Sequence, residues 1–151
     1  ANGLRWLDIG AGTGGVIREV LDHWAPAHVA AVDVIDWLSD DLRPHVELWI
    51  GDAVVVTRQS PRVDRVLLVE TLEHVDAPWA LLRQAARLLL PGGILVTTTP
   101  NVATLRHRFE LAVRGQLTAF RPHELQHLTP GLPHVTESIL REEGLRDVGH
   151  G

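Results

Sequence analysis

A run of closely spaced glycines near the start of the chain constrains its fold more than any other feature of the sequence. The apolar segment 4–9 is followed by glycines at positions 10, 12, 14 and 15 and then by an amphipathic segment over 16–24. This order predicts a strand, a tight turn and a helix. Glycine suits such a turn because it adopts positive φ and lets a ligand approach the backbone closely. The chain is therefore expected to begin with a nucleotide-binding unit.

Further apolar segments follow at the intervals typical of alternating strands and helices. We predict strands at 28–33, 46–50, 65–69 and 94–98, and a helix over 78–90 that Pro91-Gly92-Gly93 stops. Strands that are apolar throughout and alternate with helices are typical of a parallel sheet buried on both faces. The predicted fold class is α/β, a Rossmann-like, doubly wound and mostly parallel sheet in three layers. A chain of 151 residues is long enough for one such domain.

An acidic residue stands at or just beyond the end of each of the first four predicted strands. These residues are Asp8, Asp33, Asp52 and Glu70. Ligands of parallel α/β sheets bind beyond the carboxyl ends of the strands, where the strand order reverses. Any one of these acids would be explained as a helix cap or a turn residue. Their repetition at four successive strands predicts that they share one crevice.

Two nucleotide cofactors are candidates for this crevice. Three of the glycines satisfy the dinucleotide pattern G-x-G-x-x-G and Asp33 has the spacing of a ribose-binding acid, which favours a nicotinamide dehydrogenase. However, Asp8 beside the turn would repel the two negative charges of a pyrophosphate, and more strongly where water is excluded. The same carboxylate would attract the ammonium and sulfonium groups of S-adenosylmethionine. Asp33 would then accept from the ribose hydroxyls and Asp52 from the adenine amino group, so we predict this cofactor.

These segments resemble the motifs of class I S-adenosylmethionine-dependent methyltransferases, of a small-molecule type similar to ubiquinone-biosynthesis O-methyltransferases. The similarity covers residues 4–100 and comprises the glycine turn, Asp33, the run 51–53, the run 70–75 and the turn at 90–93. The resemblance implies S-adenosylmethionine as cofactor and S-adenosylhomocysteine as product. The cofactor-binding residues that it implies are Asp8, Gly10, Ala11, Gly12, Gly14, Asp33, Val34, Asp52, Ala53, Glu70 and Leu72.

The resemblance also divides the single domain, residues 1–151, into three segments. Residues 1–100 form the cofactor-binding core, 101–134 a substrate lid, and 135–151 a terminal helix and strand. After the lid only one strand, 145–148, is predicted, so the C-terminal hairpin of the family is expected to be partly missing. Strand five would then have an open edge, which favours either pairing with another chain, as in a homodimer, or a chain that has been shortened. Because the chain has no Met, we expect a trimmed segment before Ala1.

Three histidines are candidate catalytic residues, although methyl transfer from a sulfonium depends mainly on positioning. His74 follows strand four at the crevice, where a purely structural role is an equally good interpretation; His123 and His127 lie in the lid. In similar ubiquinone-pathway and small-RNA methyltransferases, an E-x-x-E-H run and a downstream histidine bind Mg²⁺. The resemblance therefore makes Glu70, Glu73 and His74 candidate metal ligands and Mg²⁺ a candidate second cofactor.

The lid segment from His123 to His127 also satisfies H-E-x-x-H, the motif of zinc proteases. Pro122 and Pro130 leave room for at most two helical turns, and the third histidine of the longer motif is displaced by one residue. Zinc ligands must converge within a few tenths of an ångström, so this displacement argues against a protease. By the resemblance, a histidine of this segment lies over the substrate pocket.

The resemblance implies a small-molecule methyl acceptor, methylated on oxygen before nitrogen or carbon. The alternatives are ribose 2′-O-methylation of RNA with Mg²⁺, and a non-catalytic domain that binds the cofactor or a partner. An aromatic content of 5% argues against nucleic acid. Arginines at 106, 108, 114 and 121 are explained by a solvated helix face or, alternatively, by a lid that favours an acidic or phosphorylated acceptor. No apolar run reaches the ~20 residues of a membrane helix, so no membrane association is expected, and the lack of cysteine fits a cytoplasmic location.

Overall fold

The computed structural model describes residues 3–100 and 133–146, together with positions 104, 107, 109, 112, 113 and 115. Five strands form one sheet: β1 (Arg5–Ile9), β2 (His28–Asp33), β3 (Glu47–Ile50), β4 (Val63–Val69) and β5 (Leu89–Thr98). The helices of the two long described ranges are α1 (Gly15–Trp24), α2 (Ala53–Val56), α3 (Pro78–Arg87) and α4 (Pro133–Glu142).

The sheet has the strand order β3-β2-β1-β4-β5, and every neighbouring pair is parallel. β1 lies at the centre, where Leu7 pairs with Ala30 of β2 and with Val66 of β4. The strand order reverses between β1 and β4, which puts the binding crevice of such sheets at the carboxyl ends of these two strands. The predicted parallel α/β sheet is therefore confirmed.

Helices and loops cover both faces of this sheet, which confirms the predicted three layers. Side chains alternate along a strand, so β1 contributes Leu7 and Ile9 to one face and Trp6 and Asp8 to the other. On the first face, Leu7 and Ile9 belong to a core that also includes residues of α3 and α4. On the second face, Trp6 belongs to a core with α1 and with the β2–β3 loop. Asp8 thus points to the same side of the sheet as α1.

The connection between β2 and β3 contains no α-helix. Residues 34–46 include a single 3₁₀ turn, Arg43–His45. Leu38 and Leu42 of this loop are buried, and both would overlap a Cβ placed on Gly14. The loop therefore packs directly on the glycine turn.

Two predicted boundaries near β5 are wrong. The helix predicted over 78–90 ends at Arg87, and β5 begins at Leu89 rather than at Ile94. Val63 of β4 pairs with Leu89, whereas Arg65 pairs with Ile94, so two steps along β4 match five along β5. The extra residues of β5 include the predicted turn Pro91-Gly92-Gly93. This turn is an irregularity within β5 and does not precede the strand, because β5 pairs with β4 both before and after it.

The C-terminal helix α4 docks on α3 and begins at Pro133, two residues before the segment 135–151 in which a terminal helix was predicted. Its Ile139 and Leu140 are buried in the core. The predicted strand 145–148 is not found at residues 145 and 146, and its remainder lies outside the described residues, as does nearly all of the predicted lid. Among the described residues no helix is long and apolar enough to cross a membrane.

Candidate functional site

The glycine turn follows β1 and contains three residues with positive φ: 83° at Gly10, 53° at Gly12 and 88° at Gly14. A Cβ on Gly10 would overlap the side chain of Thr71, whose hydroxyl donates to the carbonyl of Ile9 at 2.8 Å. By contrast, no atom lies within 4 Å of the position that a Cβ on Gly12 would take. The turn is thus closed at Gly10 by Thr71, which belongs to the motif at 70–75 but was not among the predicted site residues, and open at Gly12.

Backbone N–H groups of this turn donate to acceptors of the protein itself. Those of Gly10 and Ala11 donate to the carbonyl of Val32 at 2.8 and 3.3 Å. That of Gly12 donates to Oδ2 of Asp33 at 2.8 Å. Phosphate-binding turns direct such N–H groups at the ligand. These three groups are already engaged, which argues against a pyrophosphate independently of charge.

The carboxyl group of Asp8 is buried directly beneath the turn. The residue is only 2% exposed, and its partners on the neighbouring strands are the apolar Ala31 and Leu67. Its Oδ2 atom has no hydrogen-bond partner. Burial, and secondarily the negative charge of Asp33, raise the pKa of Asp8 to about 7. A buried carboxylate with an unpartnered oxygen is costly, so the site favours a ligand that brings a positive charge.

Asp33 ends β2 and is oriented by two backbone groups. Its Oδ2 accepts from Gly12 and its Oδ1 accepts from the N–H of Ile35 at 3.3 Å. A carboxylate has about four acceptor positions, so both oxygens retain capacity for the two hydroxyls of a ribose. Val34, the next residue, is exposed beside it. The geometry therefore fits the ribose role predicted for Asp33.

Asp52 lies beyond the end of β3, as predicted, and it also has a structural role as the N-cap of α2. Its Oδ1 accepts from the N–H of Val55 at 3.0 Å and caps α2, which begins at Ala53. The preceding residue, Gly51, donates to the carbonyl of Asp33 at 2.9 Å. This bond joins the ends of β2 and β3, so the two acids lie at the same edge of the sheet.

Glu70 follows β4 in a left-handed conformation, with φ of 51°. Its backbone N–H donates to the carbonyl and hydroxyl oxygens of Thr98, and the Thr98 hydroxyl donates back to Oε1 of Glu70 at 2.8 Å. Left-handed backbone in a residue other than glycine costs about 1–3 kcal/mol and is concentrated at functional sites. Leu72, in contrast, is buried in the core, where its side chain offers little surface to a ligand.

The candidate metal ligands do not form a metal site by themselves. Within residues 3–100 and the other described positions, no three His, Asp or Glu side chains are placed to hold a metal ion. Glu73 is fully buried, and burial, reinforced by nearby Glu70, raises its pKa. His74 is exposed at the end of a 3₁₀ turn. The remaining predicted histidines, His123 and His127, lie outside the described residues.

The sheet order, the crevice and the buried acid define a nucleotide-binding domain of the Rossmann-like class. A family model described as a methyltransferase domain matches residues 1–147. The chain therefore belongs to this methyltransferase family. The resemblance to class I S-adenosylmethionine-dependent methyltransferases is thereby confirmed.

Curated relatives carry a more specific name. The chain is 33% identical over 106 residues to a ubiquinone biosynthesis O-methyltransferase of Coxiella burnetii, covering 66% of this chain and 44% of the relative. It is 37% identical over 123 residues to the protein of that name from Xylella fastidiosa, covering 76% and 48%. The chain thus spans about half the length of these relatives.

Solved structures agree on the fold. A SAM-dependent methyltransferase from Archaeoglobus fulgidus superposes with a TM-score of 0.74 at 21% identity, over 95% of this chain and 62% of the other. Phosphoethanolamine N-methyltransferase 2 of Haemonchus contortus, solved with S-adenosyl-L-methionine, gives a TM-score of 0.67 at 20% identity, over 97% and 34%.

Replacing Asp8 by Asn is expected to stabilise the ligand-free protein increasingly as the pH rises from about 5 to about 8. The pKa of Asp8 is raised to about 7 in the folded state, whereas that of an unfolded Asp is about 3.9. Between these values the folded state keeps a proton that the unfolded state has lost, so stability falls as the pH rises. The full shift corresponds to about 4 kcal/mol. Urea unfolding should therefore show Asp8→Asn gaining about 2–4 kcal/mol at about pH 8.

The matched control is Asp22→Asn on the exposed side of α1. It should change the free energy of unfolding by less than ~0.5 kcal/mol at either pH. An Asp8→Asn effect that does not vary with pH would contradict the burial of an uncompensated carboxyl group.

Proposed function

We propose that this protein transfers the methyl group of S-adenosylmethionine to an oxygen atom of a small-molecule acceptor. The single observation that carries the proposal is the buried Asp8 carboxyl, whose Oδ2 lacks a partner beneath a glycine turn that is open at Gly12. A ligand with cationic groups and a ribose matches this buried acid and the neighbouring Asp33. A dinucleotide matches neither the charge nor the engaged N–H groups of the turn.

Three acidic residues of the chain bind different parts of the cofactor. Asp8 pairs with the cationic methionine end, and a positive charge there favours its ionised form. Asp33, already oriented by Gly12 and Ile35, accepts from the ribose hydroxyls. Asp52 retains Oδ2 for the adenine amino group while Oδ1 caps α2. When bound, S-adenosylmethionine supplies a methyl group that its sulfonium has already activated, so the protein contributes mainly positioning and exclusion of water.

The choice of oxygen as the acceptor atom rests on the O-methyltransferase names of the curated relatives. Those names do not favour RNA ribose methylation or a non-catalytic role. An acidic acceptor, a homodimer and a cytoplasmic location remain predictions. The arginines that suggested the acidic acceptor lie outside the described residues. His74, His123 and His127 remain the candidate residues for removing a proton from the acceptor.

Calorimetric titration with S-adenosylhomocysteine tests the cofactor site. The wild-type protein should bind, and Asp33→Asn should bind at least roughly tenfold more weakly, since each hydrogen bond to a charged acceptor is worth about 1.5–3 kcal/mol. Asp22→Asn on α1 is the control and should bind like the wild type. Failure of the wild type to bind would contradict the proposal, and an unaffected Asp33→Asn would show that the ribose lies elsewhere.

Mg²⁺ is tested separately, because the candidate ligands Glu70, Glu73 and His74 form no complete set in the described part of the chain. We expect S-adenosylhomocysteine to bind equally well after exhaustive chelation and in excess Mg²⁺. Formation of S-adenosylhomocysteine with a panel of phenols and catechols should likewise survive chelation. Activity that is lost on chelation and restored by Mg²⁺ would instead establish the metal site.

A further inference from the structure

Glu70, which follows β4, and Thr98, the last residue of β5, are joined at the carboxyl edge of the sheet. The backbone N–H of Glu70 donates to the carbonyl and hydroxyl oxygens of Thr98, at 3.2 and 3.1 Å. The Thr98 hydroxyl donates to Oε1 of Glu70 at 2.8 Å. Both residues are exposed, and no arginine of the described part of the chain pairs with Glu70. Its carboxylate is therefore held at the end of β5 and is open to a ligand.

The backbone of Glu70 has a conformation that favours glycine, with φ of 51°. Among the described residues, the other residue apart from glycine with positive φ is Ala25, which ends α1. Left-handed residues are common at the ends of helices. Glu70 follows a strand instead, and glycine would adopt its conformation without strain. Strain of this kind is concentrated at functional sites, so we look for the role of this residue in its carboxylate.

The strand order puts this pair beside the proposed cofactor rather than beneath it. In the proposed function the cofactor lies on the acids of three adjacent strands, β3, β2 and β1, which are Asp52, Asp33 and Asp8. The ends of β4 and β5 are the part of the carboxyl edge that the cofactor leaves free for an acceptor. Glu70 lies next to the glycine turn, because the hydroxyl of the following residue, Thr71, donates to the last carbonyl of β1.

We propose that Glu70 accepts a hydrogen bond from the hydroxyl group of the methyl acceptor, and that Thr98 is the positioning residue that orients its carboxylate. This inference rests on the proposed function, because it takes the cofactor to lie on β1, β2 and β3. An ionised carboxylate only accepts hydrogen bonds. Glu70 thus selects an acceptor that presents an O–H group or a positive charge at this point, and it disfavours one that presents a carboxylate or a phosphate there.

Sinefungin tests this assignment without an acceptor, because a carbon atom that bears an amino group replaces the sulfonium and its methyl group. Its ammonium group projects to the side from which the acceptor approaches. Glu70→Gln keeps an oxygen that accepts from Thr98 but removes the charge. In calorimetry with EDTA present, this change should weaken sinefungin about tenfold and S-adenosylhomocysteine by less than about twofold, since only sinefungin loses a charge-assisted hydrogen bond.

Two further variants separate the orientation of the carboxylate from its charge. Thr98→Val removes the hydroxyl that donates to Glu70, so it should also weaken sinefungin relative to S-adenosylhomocysteine, whereas Thr98→Ser keeps this hydroxyl and should bind both ligands like the wild type. Asp76→Asn is the matched control, because it removes an exposed negative charge from the same connection between β4 and α3. It should leave the ratio of the two dissociation constants unchanged.

An unchanged ratio in Glu70→Gln, or an equal change in Asp76→Asn, would overturn the acceptor role of Glu70 while leaving the proposed function intact. Equal weakening of both ligands in Glu70→Gln would also overturn it, because Glu70 would then bind the cofactor rather than the acceptor. A wild-type protein that binds neither ligand would overturn the proposed function as well.

Discussion

Asp8 is buried on β1, the central strand of the sheet, and its partners on the two neighbouring strands are the apolar Ala31 of β2 and Leu67 of β4. Its Oδ2 has no partner, and Asp33 adds a second negative charge nearby. The folded protein therefore retains a group that weakens it at neutral pH. Proteins keep such local conflicts where binding or catalysis requires them. In the proposed function, a positively charged ligand relieves this conflict.

The surrounding structure keeps this acid and its neighbours in position. The carbonyl of Val32 holds the start of the glycine turn, and Thr71 closes the turn from the β4 side. Gly12 in turn orients Asp33, so that the acid beneath the turn and the acid beside it belong to one bonded unit. The methyl donor proposed here has a cation and a ribose, and these are the two groups that this unit is suited to recognise.

Local sequence patterns were sufficient for the strand–turn–helix unit and for the acids at the strand ends, because both depend on residues close in sequence. They were insufficient for β5, where the signal Pro91-Gly92-Gly93 is local but the ladder with β4 continues on both sides of it. Thr71 contacts a turn about sixty residues away, as its bond to Ile9 shows, and no periodicity predicts such a contact.

The most direct test of a cation site at Asp8 is to follow the titration of its side-chain carboxyl carbon by NMR, without ligand and with saturating S-adenosylhomocysteine. Without ligand the pKa of Asp8 should be about 7. With the ligand bound, its ammonium group should lower this pKa by at least about one to two units, because a nearby opposite charge favours the ionised form. A pKa that is unchanged or raised in the complex would contradict the account.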